Sequence, residues 1–254
     1  MAFKVASYLG FGDHCSVFGM LKEFSKYYDE IEYYSNLPRK KITYENSLRL
    51  YSSIPTIKIM LEPAIFKNIK IDYYIANTTE WEIKTKPWRE NPNLPIGDEF
   101  GDNPEEWRCE QQWYKNAIIP FRLKWDNFYL ERNLEKEKEI FYDKLELKDN
   151  EEFIFLHEDT TRGFEYRPEG YKINRKYINK DIKTIELLDI QDISVLDLIY
   201  TFEKAKEIHS FNSGIAIFID LVLKEDHPAL FYHDYVRKKV FWRPTFKLNW
   251  KEIN

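Results

Sequence analysis

Three short stretches hold residues that could do chemistry. The first is Gly10-Phe11-Gly12-Asp13. A short apolar run (Phe3, Val5, Ala6, Tyr8, Leu9) stops there, and Cys15, Val17, Phe18, Leu21 and Phe24 then fall on one side of a helix. The pattern reads as strand, glycine turn and helix, and in doubly wound sheets ligands sit at the carboxyl ends of the strands. A carboxylate at such a corner can take a proton from a hydroxyl nucleophile, which makes Asp13 a candidate base. Its plainer role is to cap the helix that begins near His14. Gly12 lets another backbone or a ligand come close. His14 could orient an acceptor, or could equally be an exposed polar residue.

The second stretch is Asn212-Ser213-Gly214, where a strand over Glu207 to Phe211 gives way to a helix over Ile215 to Leu223. The free N–H groups of a first helical turn, with the Ser213 hydroxyl, suit a diphosphate. An ordinary N-cap in a tight turn is the simpler alternative. The third is Thr160-Thr161-Arg162-Gly163, after an apolar strand over Phe153 to His157. Two hydroxyls and a guanidinium suit bidentate phosphate contact, and a solvated loop with a surface arginine is the alternative. Both sites fall in the same half, at the same predicted sheet edge. That coincidence points to a nucleotide-diphosphate site.

Other chemistries lack their signatures. Neither GxGxxG nor GxxxxGK[ST] occurs, and there is no GxSxG elbow. With no HxxxH or CxxC spacing no metal site is expected, and His157, His209 and His233 read as core or rim histidines. Two cysteines, Cys15 and Cys109, give no disulfide framework. The net charge of −5 argues against a general nucleic-acid binder. No apolar run approaches the ~20 residues that span a bilayer, so no transmembrane segment is expected and the expected location is the cytoplasm. A 43% apolar fraction with 17% aromatics is ample for a packed core.

The elements that must position these residues alternate along the chain. Strands are expected at Ile31 to Tyr34, Ile57 to Leu61, Ile69 to Ile75, Ile182 to Leu188 and Leu230 to His233. Helices are expected from Thr43 to Tyr51, after Asn103-Pro104, over Glu131 to Leu145, and from Ser194 to Lys204. Lys84 to Asp102 reads as a long loop flanked by Trp81, Trp88, Trp107 and Trp113, whose faces suit sugar stacking or a packed core alike. The polar run Lys148 to Glu151 marks a boundary between halves 1–148 and 149–254. This alternation predicts an α/β protein with parallel sheets, one per Rossmann-like half.

Two of these stretches, and their order, carry a resemblance. Gly10 to Asp13 followed by a helix, and Ala205-Lys206-Glu207-Ile208-His209-Ser210-Phe211-Asn212-Ser213-Gly214, resemble the glycine–aspartate corner and the D-[ST]-G turn of the ADP-heptose:lipopolysaccharide heptosyltransferases. These are glycosyltransferases of the GT-B type. Asn212 stands where the family has aspartate, and Ile217 where it has histidine. The resemblance implies two Rossmann-like halves with the active site between them, and a final segment, about 241–254, returning to the first half. It implies Asp13 as base, with Gly12 and His14 on the acceptor side. Asn212, Ser213, Gly214, Thr160, Thr161 and Arg162 would hold the donor. The expected function is metal-independent, inverting transfer of a sugar from a nucleotide-sugar, a substrate rather than a cofactor, to a glycan or similar acceptor. The alternatives are a nucleotide-sugar epimerase on the same fold and a non-catalytic carbohydrate-binding or assembly protein.

Overall fold

The computed structural model describes residues 2–7, 10–35, 41–60, 71–75, 109–159, 170–190, 193–225, 227, 229–237 and 243–254. They form two compact units, Met1–Glu131 and Arg132–Asn254.

The first unit holds a four-stranded parallel sheet of β1 (Phe3–Ser7), β2 (Ile31–Ser35), β3 (Ile57–Met60) and β4 (Tyr73–Ile75), in the order β3-β2-β1-β4. Strand β1 is central, and Phe3, Val5, Ala6 and Ser7 are all buried, as expected for a parallel strand covered on both faces. The helices are α1 (Phe11–Phe24), α2 (Lys41–Tyr51), α3 (Cys109–Asn116) and α4 (Leu123–Asp126). Order 3-2-1-4 reverses direction between β1 and β4, so the first unit has its topological switch point at the carboxyl end of β1.

Helix α1 is not the one-sided helix that its spacing predicts. Every residue from His14 to Leu21 is buried, including Ser16 and Gly19. A helix buried on all sides needs packing partners on all sides, and α3 and α4 supply part of that cover. Gly19 shows how closely α4 approaches: a Cβ there would lie 1.9 Å from the carbonyl oxygen of Leu123. The Tyr114 hydroxyl donates to the Ser16 carbonyl at 2.8 Å and accepts the Met20 N–H at 3.1 Å, so it spans one rung of the helix. Beside it lies an ion pair, Lys124 Nζ to Glu110 Oε2 at 2.9 Å, with the lysine side chain 0% exposed and the glutamate side chain 6%. Ser16 donates its hydroxyl to Glu110 as well.

The second unit holds β5 (Phe153–Leu156), β6 (Lys183–Glu186), β7 (Glu207–Ser210), β8 (Leu230–His233) and β9 (Trp250–Ile253), all parallel, in the order β6-β5-β7-β8-β9. Numbered within the unit this is 2-1-3-4-5, whose switch point lies between β5 and β7. Its helices are α5 (Leu134–Glu139, continued as a π turn over Ile140–Lys144), α6 (Ile199–Lys204) and α7 (Gly214–Val222).

Two expectations about organisation are corrected here. The units divide at Glu131/Arg132 rather than at 148/149, because α5 is tied to the second core. Phe141 meets Tyr200 edge-on with ring centres 5.2 Å apart. Arg132 pairs with Glu137 and with Glu203, each at 2.6 Å, and Glu137 accepts the Tyr200 N–H at 3.0 Å. Lys148 to Asn150 is a turn inside the unit, not a linker. The final segment also stays in the second unit: β9 pairs with β8 from Leu230↔Trp250 to His233↔Ile253. Buried Asp220 of α7 anchors it, accepting the backbone N–H groups of Lys247 and Leu248 at 3.0 Å and the Trp250 indole N–H at 3.1 Å.

Candidate functional site

Each unit presents a corner at its switch point. In the first, α1 begins at Phe11 with Gly10 as N-cap, earlier than the sequence suggests, so Phe11 and Gly12 already belong to the first turn. Gly10 has φ −86°, and its glycine character is not needed for a left-handed turn. Asp13 is the third helical residue. Its Oδ2 accepts the Gly10 N–H at 3.0 Å, which fixes the carboxylate over the start of the helix while leaving the residue half-buried. Gly12 is buried, and its carbonyl oxygen lies 3.1 Å from the Ser16 hydroxyl oxygen.

His14 is corrected outright. It is 0% exposed, so it cannot meet an acceptor in solvent. Helical spacing turns it from Asp13 into the core, where its Nδ1 lies 3.0 Å from the Tyr33 hydroxyl and 3.3 Å from that of Tyr51. The Tyr51 hydroxyl donates to the His14 carbonyl at 2.9 Å, and Ser7 on β1 hydrogen-bonds the Tyr33 hydroxyl at 2.7 Å. Burial lowers the imidazole pKa from 6.5 to about 3 and raises those of both tyrosines. The sequence signal available for this was the helical period, which placed Cys15 and Phe18 inward beside it.

The second corner lies after β5 and β7. Ser213 caps α7: its hydroxyl accepts the Ala216 N–H at 3.3 Å and lies 3.1 Å from His157 Nδ1. Ser210 is the other hydroxyl against that nitrogen, at 3.0 Å, and the ring stacks on Phe211 with centres 4.8 Å apart. The Ser213 hydroxyl is thus engaged in capping, and the first-turn N–H groups of Gly214 and Ile215 are the donors that helix geometry leaves over. Asn212 is 6% exposed, and its carbonyl accepts Nη1 of Arg237 at 2.9 Å. The structure therefore brings Asn212, Ser213 and Gly214 together at the switch point with His157 and Arg237. Neither of the latter two was a predicted site residue. Thr160, Thr161 and Arg162 lie outside the described residues, as do the Lys84 to Asp102 loop and Trp81, Trp88 and Trp107.

Next to this corner is a cavity of about 520 Å³, lined by Gly170, by Lys172 to Arg175, and by Tyr235 and Val236. Gly170 enters its wall at φ 69°, the left-handed region that favours glycine, and leads into the Asp159↔Tyr171 bridge. Glu158, buried on the same edge, accepts the Ile173 N–H at 2.5 Å and Nη2 of Arg175 at 3.1 Å. Burial raises its pKa, against the lowering effect of the Ile173 N–H and of Arg175.

Deeper in the sheet, Glu207, His209 and His233 form a chain. Glu207 lies 3.1 Å from His209 Nε2, and His209 Nδ1 lies 2.9 Å from His233 Nε2. A carboxylate only accepts, so His209 carries its proton on Nε2 and takes a hydrogen bond from His233 Nε2–H. Burial keeps both rings uncharged, with His233 lowered to about 3. They are core histidines, as the sequence suggests. Among the described residues no group of three or more His, Cys, Asp or Glu is placed to hold a metal, and no helix is long and apolar enough to cross a membrane.

No family model matches the chain, and no curated protein matches it by sequence. Among solved structures it is similar to a glycosyl transferase family 9 protein from Veillonella parvula. That likeness has a TM-score of 0.52 at 11% identity, covering 99% of this chain and 86% of the other. A likeness at that identity speaks for the fold. The chain has the α/β, two-sheet Rossmann-like fold of that glycosyl transferase, with a parallel sheet in each unit.

Proposed function

We propose that the protein is a GT-B-type glycosyltransferase that moves a sugar from a nucleotide-sugar to a hydroxyl of a glycan or similar acceptor. One observation carries this reading. The two stretches singled out for chemistry, Gly10 to Asp13 and Asn212 to Gly214, each lie at the switch point of their own sheet, the place where open α/β sheets bind ligands. The fold shared with a glycosyl transferase family 9 protein supports it.

In this reading the second unit takes the donor, with the N–H groups of Gly214 and Ile215 facing its diphosphate. Thr160, Thr161 and Arg162 are the further donor contacts of the proposal. The acceptor hydroxyl approaches Asp13. As its oxygen bonds to the anomeric carbon, its proton passes to the Asp13 carboxylate, and the bond from that carbon to the diphosphate breaks, with inversion. Fixed N–H dipoles stabilise the charge that grows on the leaving diphosphate. Metal-independent transfer is part of the proposal, so activity should persist in EDTA.

The test is a thermal-shift screen of UDP, GDP, ADP, CMP and dTDP sugars, followed by turnover with the stabilising donor. Asp13→Ala should abolish transfer while leaving donor binding nearly intact. Substantial remaining turnover would remove Asp13 from the mechanism, and a screen without a stabilising nucleotide-sugar would refute the donor site. The bond from Gly10 N–H to Asp13 favours a second reading, a carbohydrate-binding protein without turnover in which Asp13 only caps α1. Donor binding with no transfer to any acceptor would favour it.

A further inference from the structure

Four arginines of the second unit lie among the described residues, and three of them are matched by carboxylates. Arg132 pairs with Glu137 and Glu203, Arg175 with Glu158 and Glu186, and Arg243 with Asp234 and Glu252. Arg237 differs. Among the described residues it has no carboxylate partner, and its Nε is buried with no hydrogen-bond partner. Yet the side chain is held in place. Nη1 donates to the Asn212 carbonyl at 2.9 Å, and the guanidinium lies over the Tyr171 ring, 5.4 Å from its centre.

Among the described residues, this half-buried guanidinium, fixed by a neutral carbonyl and an aromatic face, has no carboxylate to match its charge. Leaving such a group without an anion is unfavourable, and the planar fork suits phosphate oxygens in pairs. Its position says which ligand it would meet. Arg237 follows Tyr235 and Val236 of the cavity wall directly, and it touches the turn that starts α7. In the cavity lining, Arg175 has a second buried nitrogen, Nη1, with no partner among the described residues, and Lys172 adds a further cation. The nearby carboxylates Glu158 and Glu186 are already engaged by Arg175.

We infer that Arg237, set between the Asn212–Gly214 turn and the cavity of Lys172 to Arg175, is the guanidinium that binds the diphosphate of a nucleotide ligand. The inference rests on the donor reading of the second unit and deepens it, because it assigns the charge to a residue outside the stretches that the sequence singled out. It also places the rest of the nucleotide along the cavity, whose wall includes Tyr235.

The experiment is isothermal titration of the full chain with inorganic pyrophosphate and with UDP, GDP, ADP, CDP and dTDP. Wild type, Arg237→Met and Arg237→Lys are compared at low and high NaCl. With the nucleoside diphosphate that wild type binds, Arg237→Met should lose about 10- to 100-fold in affinity. Arg237→Lys should fall between the two, because it keeps the charge without the fork. Pyrophosphate should follow the same order, and the loss should shrink as salt screens the charge. A merely structural arginine would give a loss independent of salt and no rescue by lysine, and that result would overturn the inference. Binding to Arg237→Met within about twofold of wild type would also overturn it, while leaving the donor reading standing. If wild type binds none of these compounds, the donor reading and the inference fall together.

Discussion

His14 offers a quantitative test of the first core. Its imidazole is fully buried against Tyr33 and Tyr51, with a pKa lowered from 6.5 to about 3. Between those two values the unfolded chain binds a proton that the folded chain does not, so stability rises with pH across that window. The loss begins as pH falls through 6.5 and grows toward 3. At pH 5 the group sits 1.5 pH units below its unfolded value. At about 1.4 kcal/mol per unit, that makes a loss of about 2 kcal/mol from this one residue. The assay is native-state hydrogen exchange on peptides covering β1 and α1, which reports the first unit alone. Wild type is compared with His14→Gln at pH 7.5 and at pH 5.0. Comparing the two proteins at the same pH cancels both the pH dependence of chemical exchange and the contribution of other titrating groups. His14→Gln will be less protected at both values, because its packing is imperfect. The gap should narrow by about 2 kcal/mol, or about 30-fold in protection, on going to pH 5.0. A constant gap would show that His14 is protonated in the folded state, or reaches water, and would refute the account of the corner.

Two further perturbations test the packing around α1. Gly19→Ala puts a Cβ 1.9 Å from the Leu123 carbonyl oxygen and 2.7 Å from its carbon, so backbone must move. It should destabilise the first unit by about 3 kcal/mol, read as a lower urea midpoint, and an unchanged midpoint would mean that α4 yields freely. Lys124→Met strands the Glu110 carboxylate in the core and should remove about 3–5 kcal/mol. The double variant Glu110→Leu/Lys124→Met should recover most of it, and failure to recover would mean that the pair is needed for more than charge balance.

The fold was legible in the sequence where a short-period pattern met clear punctuation. IEYY, FIFL and LFYH each read as strands and form β2, β5 and β8. Asn212-Ser213-Gly214 was legible because a cap and a glycine between apolar runs admit few conformations. Trp250–Ile253 was not. WKEI sets two opposite charges side by side between two apolar residues, without the alternation that marks a half-buried strand. What holds it in the sheet is pairing with β8 together with Asp220, distant in sequence, which collects Lys247, Leu248 and Trp250. The boundary was misplaced for a similar reason. Local polarity at Lys148 to Asn150 is a fact about one turn, whereas the division depends on Arg132 and Phe141 meeting Glu203 and Tyr200. At the candidate site, sequence found residues by type and neighbourhood, which located Asp13 and Ser213. It could not find His157 or Arg237, whose relation to the Asn212 turn comes from strand order. Nor could it see that one step along α1 separates a half-exposed Asp13 from an inward His14.

The order of the second sheet has a consequence for how the protein behaves in a crowded solution. A parallel sheet that does not close into a barrel ends in two strands with unpaired backbone groups, which invite a strand from another chain. Among the described residues those places fall to β6 and β9. Lys183 opens β6 and Glu186 closes it, and Lys251 and Glu252 occupy the middle of β9, with both lysines and Glu252 exposed. An approaching apolar strand would have to strip water from these charges before its first backbone bond could form. The same residues that hid β9 from sequence reading therefore guard the unit against aggregation through its edges.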